Sequence, residues 1–231
     1  MKKPTLPPST RTLKIKVKTA KKRSLSSTLW LQRQLNDPYV AQAKIKGYRS
    51  RAAFKLEQLD EKFRFLKSGA HILDLGAAPG GWMQVAAARI HRGTNTGFIL
   101  GVDLQEIEPL IGASSMVLDF LSDDAEDKVR AALPTGKVDV VLSDMADAAT
   151  GYPQIDHIRI MALCEAAAMF AMQILNPQGS FICKILQGGA EQSLLSLLKK
   201  HFTRVSHFKP QASRADSSEL YLIASGFKSP T

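Results

Sequence analysis

The spacing of apolar residues along this chain changes near residue 70. Before it, Ala52, Leu56, Leu59 and Phe63 follow one another at four, three and four positions, the stripe of a helix packed on one face. That helix begins near Ser50. Upstream, Ser27 or Thr28 is placed to cap a helix holding Leu29, Trp30, Leu31 and Leu35, and a second short helix covers 37–46. Beyond residue 70, short apolar runs alternate with helical stretches. Strands are expected at 70–75, 98–102, 115–118, 138–143, 180–185, 203–208 and 219–225, and the clearest helices at 81–91, 155–175 and 190–201. Such alternation predicts a doubly wound α/β fold with a mostly parallel sheet. The connection 209–218 is too short for a helical crossover, which takes about a dozen residues, so the last strand is expected to run antiparallel.

Charge divides the chain at the same place. Residues 1–67 hold 18 Lys and Arg against 4 acids, and residues 68–231 hold 13 against 17, so the net +10 is the sum of a strongly basic third and a mildly acidic remainder. A one-signed block without apolar periodicity reads as a polyanion-binding arm. Pro4, Pro7 and Pro8 break any early helix, which disfavours the amphipathic helix that an anionic membrane would want. Residues 1–24 are therefore expected to be a disordered basic arm, followed by one domain over 25–231 whose helical part, 25–67, faces the same polyanion. No apolar run reaches the ~18 residues of a membrane span, and no signal sequence is expected. Cys164 and Cys183 form no metal box with other thiols or histidines and read as buried core thiols in a reducing cytoplasm.

In an open α/β sheet, ligands bind at the carboxyl ends of the strands. The first strand runs into Asp74-Leu75-Gly76-Ala77-Ala78-Pro79-Gly80-Gly81-Trp82. Small residues let backbone approach a ligand closely, but Ala78 breaks the dinucleotide fingerprint and no Gly-Lys-Ser/Thr follows for a phosphate loop. A tight turn alone would explain one or two of these glycines, not the acid beside them. Asp103, ending the second strand, can accept from both hydroxyls of a ribose; Asp119 with Phe120, after the third, can face an adenine. The fourth strand ends in Ser143-Asp144-Met145-Ala146. Lys184 sits inside an apolar strand, where an ammonium is costly unless paired or functional; the alternative is a lysine snorkelling at an edge. Lys55 taken alone reads as a surface lysine, and Glu219 as an ordinary edge acid.

In order and spacing, Arg49-Ser50-Arg51-Ala52-Ala53-Phe54-Lys55-Leu56, the Asp74–Trp82 loop, Ser143-Asp144-Met145-Ala146, Lys184 and Ser218-Glu219-Leu220-Tyr221 resemble the FtsJ/RrmJ family of ribose 2′-O-methyltransferases, over about residues 21–228. The resemblance implies a seven-stranded sheet with an antiparallel last strand and a catalytic tetrad of Lys55, Asp144, Lys184 and Glu219. It implies an S-adenosylmethionine site at Asp74, Gly76, Ala77, Pro79, Gly80, Gly81, Trp82, Asp103, Asp119, Phe120 and Asp144, with no metal. The implied substrate is 23S ribosomal RNA, a uridine of the peptidyl-transferase A-loop, within the large subunit, acted on by a cytoplasmic monomer. The chain departs from the family pattern at Asp147-Ala148, where Pro-Asn is common, at Ser217-Ser218, where a basic residue is common, and in its first 20 residues. Within the tetrad, Lys184 can act as a neutral base, favoured by desolvation and by Lys55, or as a charged stabiliser of the developing oxyanion. Competing readings are the same chemistry on tRNA or an mRNA cap, a ribosome-assembly factor without catalysis, and an NAD-dependent oxidoreductase.

Overall fold

The computed structural model describes residues 15–19, 24–92, 97–146, 151–187 and 192–229. It forms two units, residues 1–47 and 48–231. Most of the expected arm, 1–14 and 20–23, lies outside the described residues.

The first unit holds α1 (Leu25–Leu35) and α2 (Pro38–Lys46). Ser24, not Ser27 or Thr28, caps α1: its backbone is extended and its hydroxyl accepts from the Ser27 amide at 3.3 Å, so the helix begins before the expected cap. Asp37 caps α2, Pro38 occupies the first turn, where its missing N–H is no loss, and left-handed Gly47 ends the helix.

The second unit opens with α3 (Ala53–Phe63) and continues β1 (His71–Leu75), α4 (Gly81–Ile90), β2 (Phe98–Asp103), β3 (Ser114–Val117), α5 (Ala125–Ala132), β4 (Val138–Ser143), α6 (Pro153–Ile174), β5 (Leu175–Leu186), α7 (Gln192–His201), β6 (Phe202–Phe208) and β7 (Glu219–Phe227). Its strands form one seven-stranded sheet in the order β3-β2-β1-β4-β5-β7-β6. β1 pairs parallel with β2 and β4, β2 with β3, and β4 with β5; β7 slots between β5 and β6 and runs antiparallel to both. The short 209–218 connection therefore does what its length requires.

Alternate residues of each strand serve opposite faces. One face buries Leu73, Leu75, Val141, Phe181 and Leu222 with Val129 of α5, Ala167 and Phe170 of α6, and Leu194 and Leu198 of α7. The other buries Ile72, Val140, Leu142, Ile182 and Ile223 with Leu56 and Leu59 of α3 and Met83 and Val85 of α4. Helix α5, one of the helices expected between strands, is short and highly charged and buries only Ala125 and Val129. One element departs from expectation. β5 runs from Leu175 rather than 180, across a register irregularity and a left-handed Gln178.

Phe170 is fully buried and its ring stands 5.6 Å from that of Phe120, just past the end of β3. Phe170→Ala is expected to cost about 3–5 kcal/mol, read as a lower urea midpoint at unchanged slope; a loss below about 1 kcal/mol would show that this core collapses around the gap.

Candidate active site

The parallel strands bring the carboxyl ends of β1, β2, β4 and β5 to one edge, and register decides which side chains meet there. Ser143 pairs with Cys183, so Asp144 leaves β4 beside Lys184. Across the antiparallel ladder Lys184 faces Tyr221, and Glu219 lies two residues from Tyr221, on the same side of the sheet. Lys184 Nζ stands 3.1 Å from Asp144 Oδ1 and donates to the Asp144 carbonyl at 2.9 Å. Lys55, reaching down from α3, pairs with Glu219 at 2.7 Å. Both pairs are largely buried, with side-chain exposures of 10% and 18% for the first and 13% and 15% for the second. All four candidate residues of the tetrad therefore converge, and β5 is an interior strand, which removes the snorkelling alternative for Lys184.

The structure adds a fifth side chain. Tyr221 is fully buried, its hydroxyl donates to Asp144 Oδ1 at 3.0 Å, and Lys55 Nζ lies 5.9 Å from its ring centre. Burial, with Asp144 and Glu219 beside it, pushes the phenol well above its ordinary value, so it stays a donor. The family-like segment 218–221 includes it, but a tyrosine in an apolar strand carries no signal of a polar partner. Burial alone would raise the Asp144 carboxyl; the ammonium groups of Lys184 and Lys55 and the bonds from Lys184 and Tyr221 outweigh it and hold Asp144 below the usual range, ionised. Ser213 donates to Glu219 Oε1 at 2.6 Å, tying the 209–218 connection to the same cluster.

Beside this cluster lies the glycine loop. Gly76 and Ala77 donate to the Val102 carbonyl, and Ala78 donates to Asp103 Oδ2 at 2.9 Å, so the loop is sewn to the end of β2. Gly76 has φ +78, and a Cβ there would meet the Met145 amide at 2.7 Å, so the loop and the strand carrying Asp144 touch backbone to backbone. A cis peptide precedes Pro79, and Trp82 is buried with its indole N–H donating to the Ala52 carbonyl at 2.8 Å. β3 ends at Val117, so Asp119 lies in an exposed turn, accepting from the Leu121 amide at 3.0 Å, while Phe120 turns into the core. Asp147 and Ala148 lie outside the described residues.

Asp74 is the unusual member. It is 1% exposed, and neither carboxylate oxygen has a hydrogen-bond partner. Burial first, then Asp144 and Asp103, push its carboxyl well above the ordinary value of 3.8. The three acids lie close enough to disfavour one another's charge, and a cation placed among them would relieve that repulsion.

A family model described as FtsJ-like methyltransferase matches residues 48–227. The chain is 58% identical over 223 residues to the ribosomal RNA large subunit methyltransferase E of Cereibacter sphaeroides, covering 94% of this chain and 91% of the relative. It is 57% identical over 225 residues to that of Parvibaculum lavamentivorans, covering 94% and 88%. Among solved structures, a Plasmodium falciparum protein assigned as a ribosomal RNA methyltransferase superposes with a TM-score of 0.69 at 32% identity, over 78% of this chain and 98% of that one. The MycE methyltransferase of mycinamycin biosynthesis shares the fold at 12% identity and a TM-score of 0.52, over 74% of this chain and 48% of that one.

Ionising Asp74 costs more in the folded than in the unfolded chain. The stability it leaves intact below 3.8 is lost as pH climbs from there through its raised folded value. Asp74→Asn is thus expected to raise the melting temperature at neutral pH, the gain shrinking to nothing in acid; equal shifts at both pH values would show that the carboxylate is not strained.

Proposed function

Because the chain belongs to the FtsJ-like methyltransferase family, we propose that it transfers a methyl group from S-adenosylmethionine to a ribose 2′-hydroxyl of large-subunit ribosomal RNA, in the bacterial cytoplasm. The target the family implies is a uridine of the peptidyl-transferase A-loop. The observation that carries the reading is the buried Lys184–Asp144 pair at the sheet edge, one strand from the glycine loop. An assembly factor without catalysis has no use for two largely buried ion pairs at the carboxyl ends of the strands. The carboxylates of Asp74, Asp103 and Asp144 suit a sulfonium and an ammonium, and they oppose the diphosphate of NAD.

When bound, S-adenosylmethionine supplies an electrophilic methyl group on its sulfonium sulfur. Asp103, its oxygens already accepting from Ala78 and Gln105, would present its remaining lone pairs to the ribose hydroxyls of the nucleoside. Gly76 and the loop to Trp82 would give backbone access to the amino-acid end, where Asp74 would answer the ammonium. A ribose 2′-hydroxyl is a poor nucleophile, and holding it in line is worth up to about 7–11 kcal/mol. Lys184 directs N–H groups at Asp144 and has a further one for the 2′-oxygen. Lys55, anchored by Glu219, adds positive charge beside the same atom. Asp144, held ionised by its cationic partners, is a weak base, so the proton leaves late, to Asp144 or to water, while the charged Lys184 stays a donor to the developing oxyanion.

The reading is tested by tritium transfer from S-adenosylmethionine to assembled large subunits, free ribosomal RNA and tRNA in parallel. Transfer to tRNA alone would favour that substrate instead. Lys184→Ala and Asp144→Ala are each expected to lower turnover by at least ~10²-fold, and in Lys184→Ala cofactor affinity should survive in calorimetry; near-normal turnover in Lys184→Ala would remove the lysine from the reaction. Deleting residues 1–20 is expected to leave saturating turnover intact and weaken RNA binding. Log affinity should also become less steep in log salt, by roughly 0.7–0.9 for each phosphate no longer neutralised. Coincident salt plots would make the arm inert.

A further inference from the structure

Arg49 belongs to the basic third of the chain, where a cation is expected to meet phosphate. Its side chain does something else. Nη1 donates to the Glu108 carbonyl at 2.7 Å and the Pro79 carbonyl at 3.3 Å, and Nη2 donates to the Pro109 carbonyl at 2.8 Å. Pro79 lies in the glycine loop, and Glu108 and Pro109 lie in the loop that follows Asp103. One planar guanidinium therefore ties together two adjoining loops, each of which carries or follows a residue of the proposed cofactor site. Its own backbone amide donates to Gln84 Oε1 of α4 at 2.8 Å, fixing where the arginine starts from.

The glycine loop is shaped around this arginine. A Cβ on Gly80 would stand 2.6 Å from Arg49 Nη1 and 3.2 Å from Ile107 Cγ2, and one on Gly81 would collide with the Ser50 hydroxyl oxygen. The Gly80-Gly81 pair is thus explained by a chain segment lying across it as well as by any ligand below. The same segment accepts the Trp82 indole N–H at Ala52 and three residues later supplies Lys55 to Glu219.

We propose that Arg49 is a positioning residue for the cofactor, clamping the glycine loop and the 104–112 loop at the separation the nucleoside requires. This rests on the methyltransferase reading above. The clamp acts on the protein's own carbonyls, so its removal is felt in cofactor affinity with no RNA present. It needs a fork: a lysine at this position keeps the charge, but its three donors radiate from one nitrogen and do not span carbonyls held by two separate nitrogens of the guanidinium.

The test is calorimetric titration of S-adenosylmethionine and S-adenosylhomocysteine, without RNA, into wild type, Arg49→Lys and Arg49→Gln. Arg92→Gln serves as a charge control, since Arg92 Nε donates to the Ala88 carbonyl one helical turn back. Thermal unfolding of each protein is followed alongside. The expected result is a cofactor Kd raised at least about tenfold in both Arg49 variants, consistent with loss of charged hydrogen bonds. In turnover assays KM for S-adenosylmethionine should rise likewise, with kcat at saturation near wild type and KM for RNA unchanged. A KM increase confined to RNA would make Arg49 a phosphate contact and overturn the proposal. Full cofactor affinity in Arg49→Lys would overturn the fork geometry. A weakening of cofactor binding matched by Arg92→Gln would reduce the effect to net charge and overturn it too. If wild type binds neither ligand, the methyltransferase reading falls and takes the clamp with it; if wild type binds and the Arg49 variants bind equally well, the clamp alone falls.

Discussion

An ammonium group inside a sheet must be met by a carboxylate, and the active edge of this molecule is organised by that demand. Lys184 lies on an interior strand with β4 on one side and β7 on the other. Removing one partner of such a pair leaves a buried charge that costs about 3–5 kcal/mol. Asp144 must therefore leave β4 level with Lys184, which the Ser143–Cys183 register ensures. The antiparallel β7 then sets Tyr221 opposite Lys184 and Glu219 two residues away, and Glu219 in turn anchors Lys55. The four charged residues come from four elements, yet one register on each side of β5 brings three of them together. An antiparallel last strand is thus a requirement of the site as well as of the short connection that precedes it.

Much of this was legible from residue patterns because the fold obeys periodicity. Seven apolar runs became seven strands, and the 50–63 stripe became α3. What was missed or faint has a physical cause. Ser24 preceded the expected cap because any extended serine can take that role. Helix α5 was faint because a short surface helix buries few residues. The chemistry divides in the same way. The glycine loop and Lys184 broke local rules, and so drew notice as departures from ordinary packing. Lys55, Glu219 and Tyr221 broke none: a lysine on a helix, an acid opening a strand and a tyrosine in a core are ordinary until register joins them. Only the family resemblance singled out Lys55 and Glu219. Arg49's three carbonyl bonds join segments some 30 and 60 positions apart, and no local pattern records them.

Charge is segregated in a way that fits both reactants. The basic excess is confined to residues 1–67, while the remainder is net acidic and gathers Asp74, Asp103 and Asp144 at the strand ends. A polyanion and a cation would otherwise compete for the same ground. Lys55 and Lys184 mark the boundary: each is tied to an acid of the second part. The Asp74 carboxyl, buried without a partner, lowers stability when it ionises, the exchange expected where a site is built for a charge the protein does not itself supply. Glycine at position 76 is what allows the segments leaving β1 and β4 to touch. With no side chain there, the backbone after Leu75 lies against that of Met145, and the separation of Asp74 from Asp144 is set by backbone contact, the least compliant contact a fold can offer.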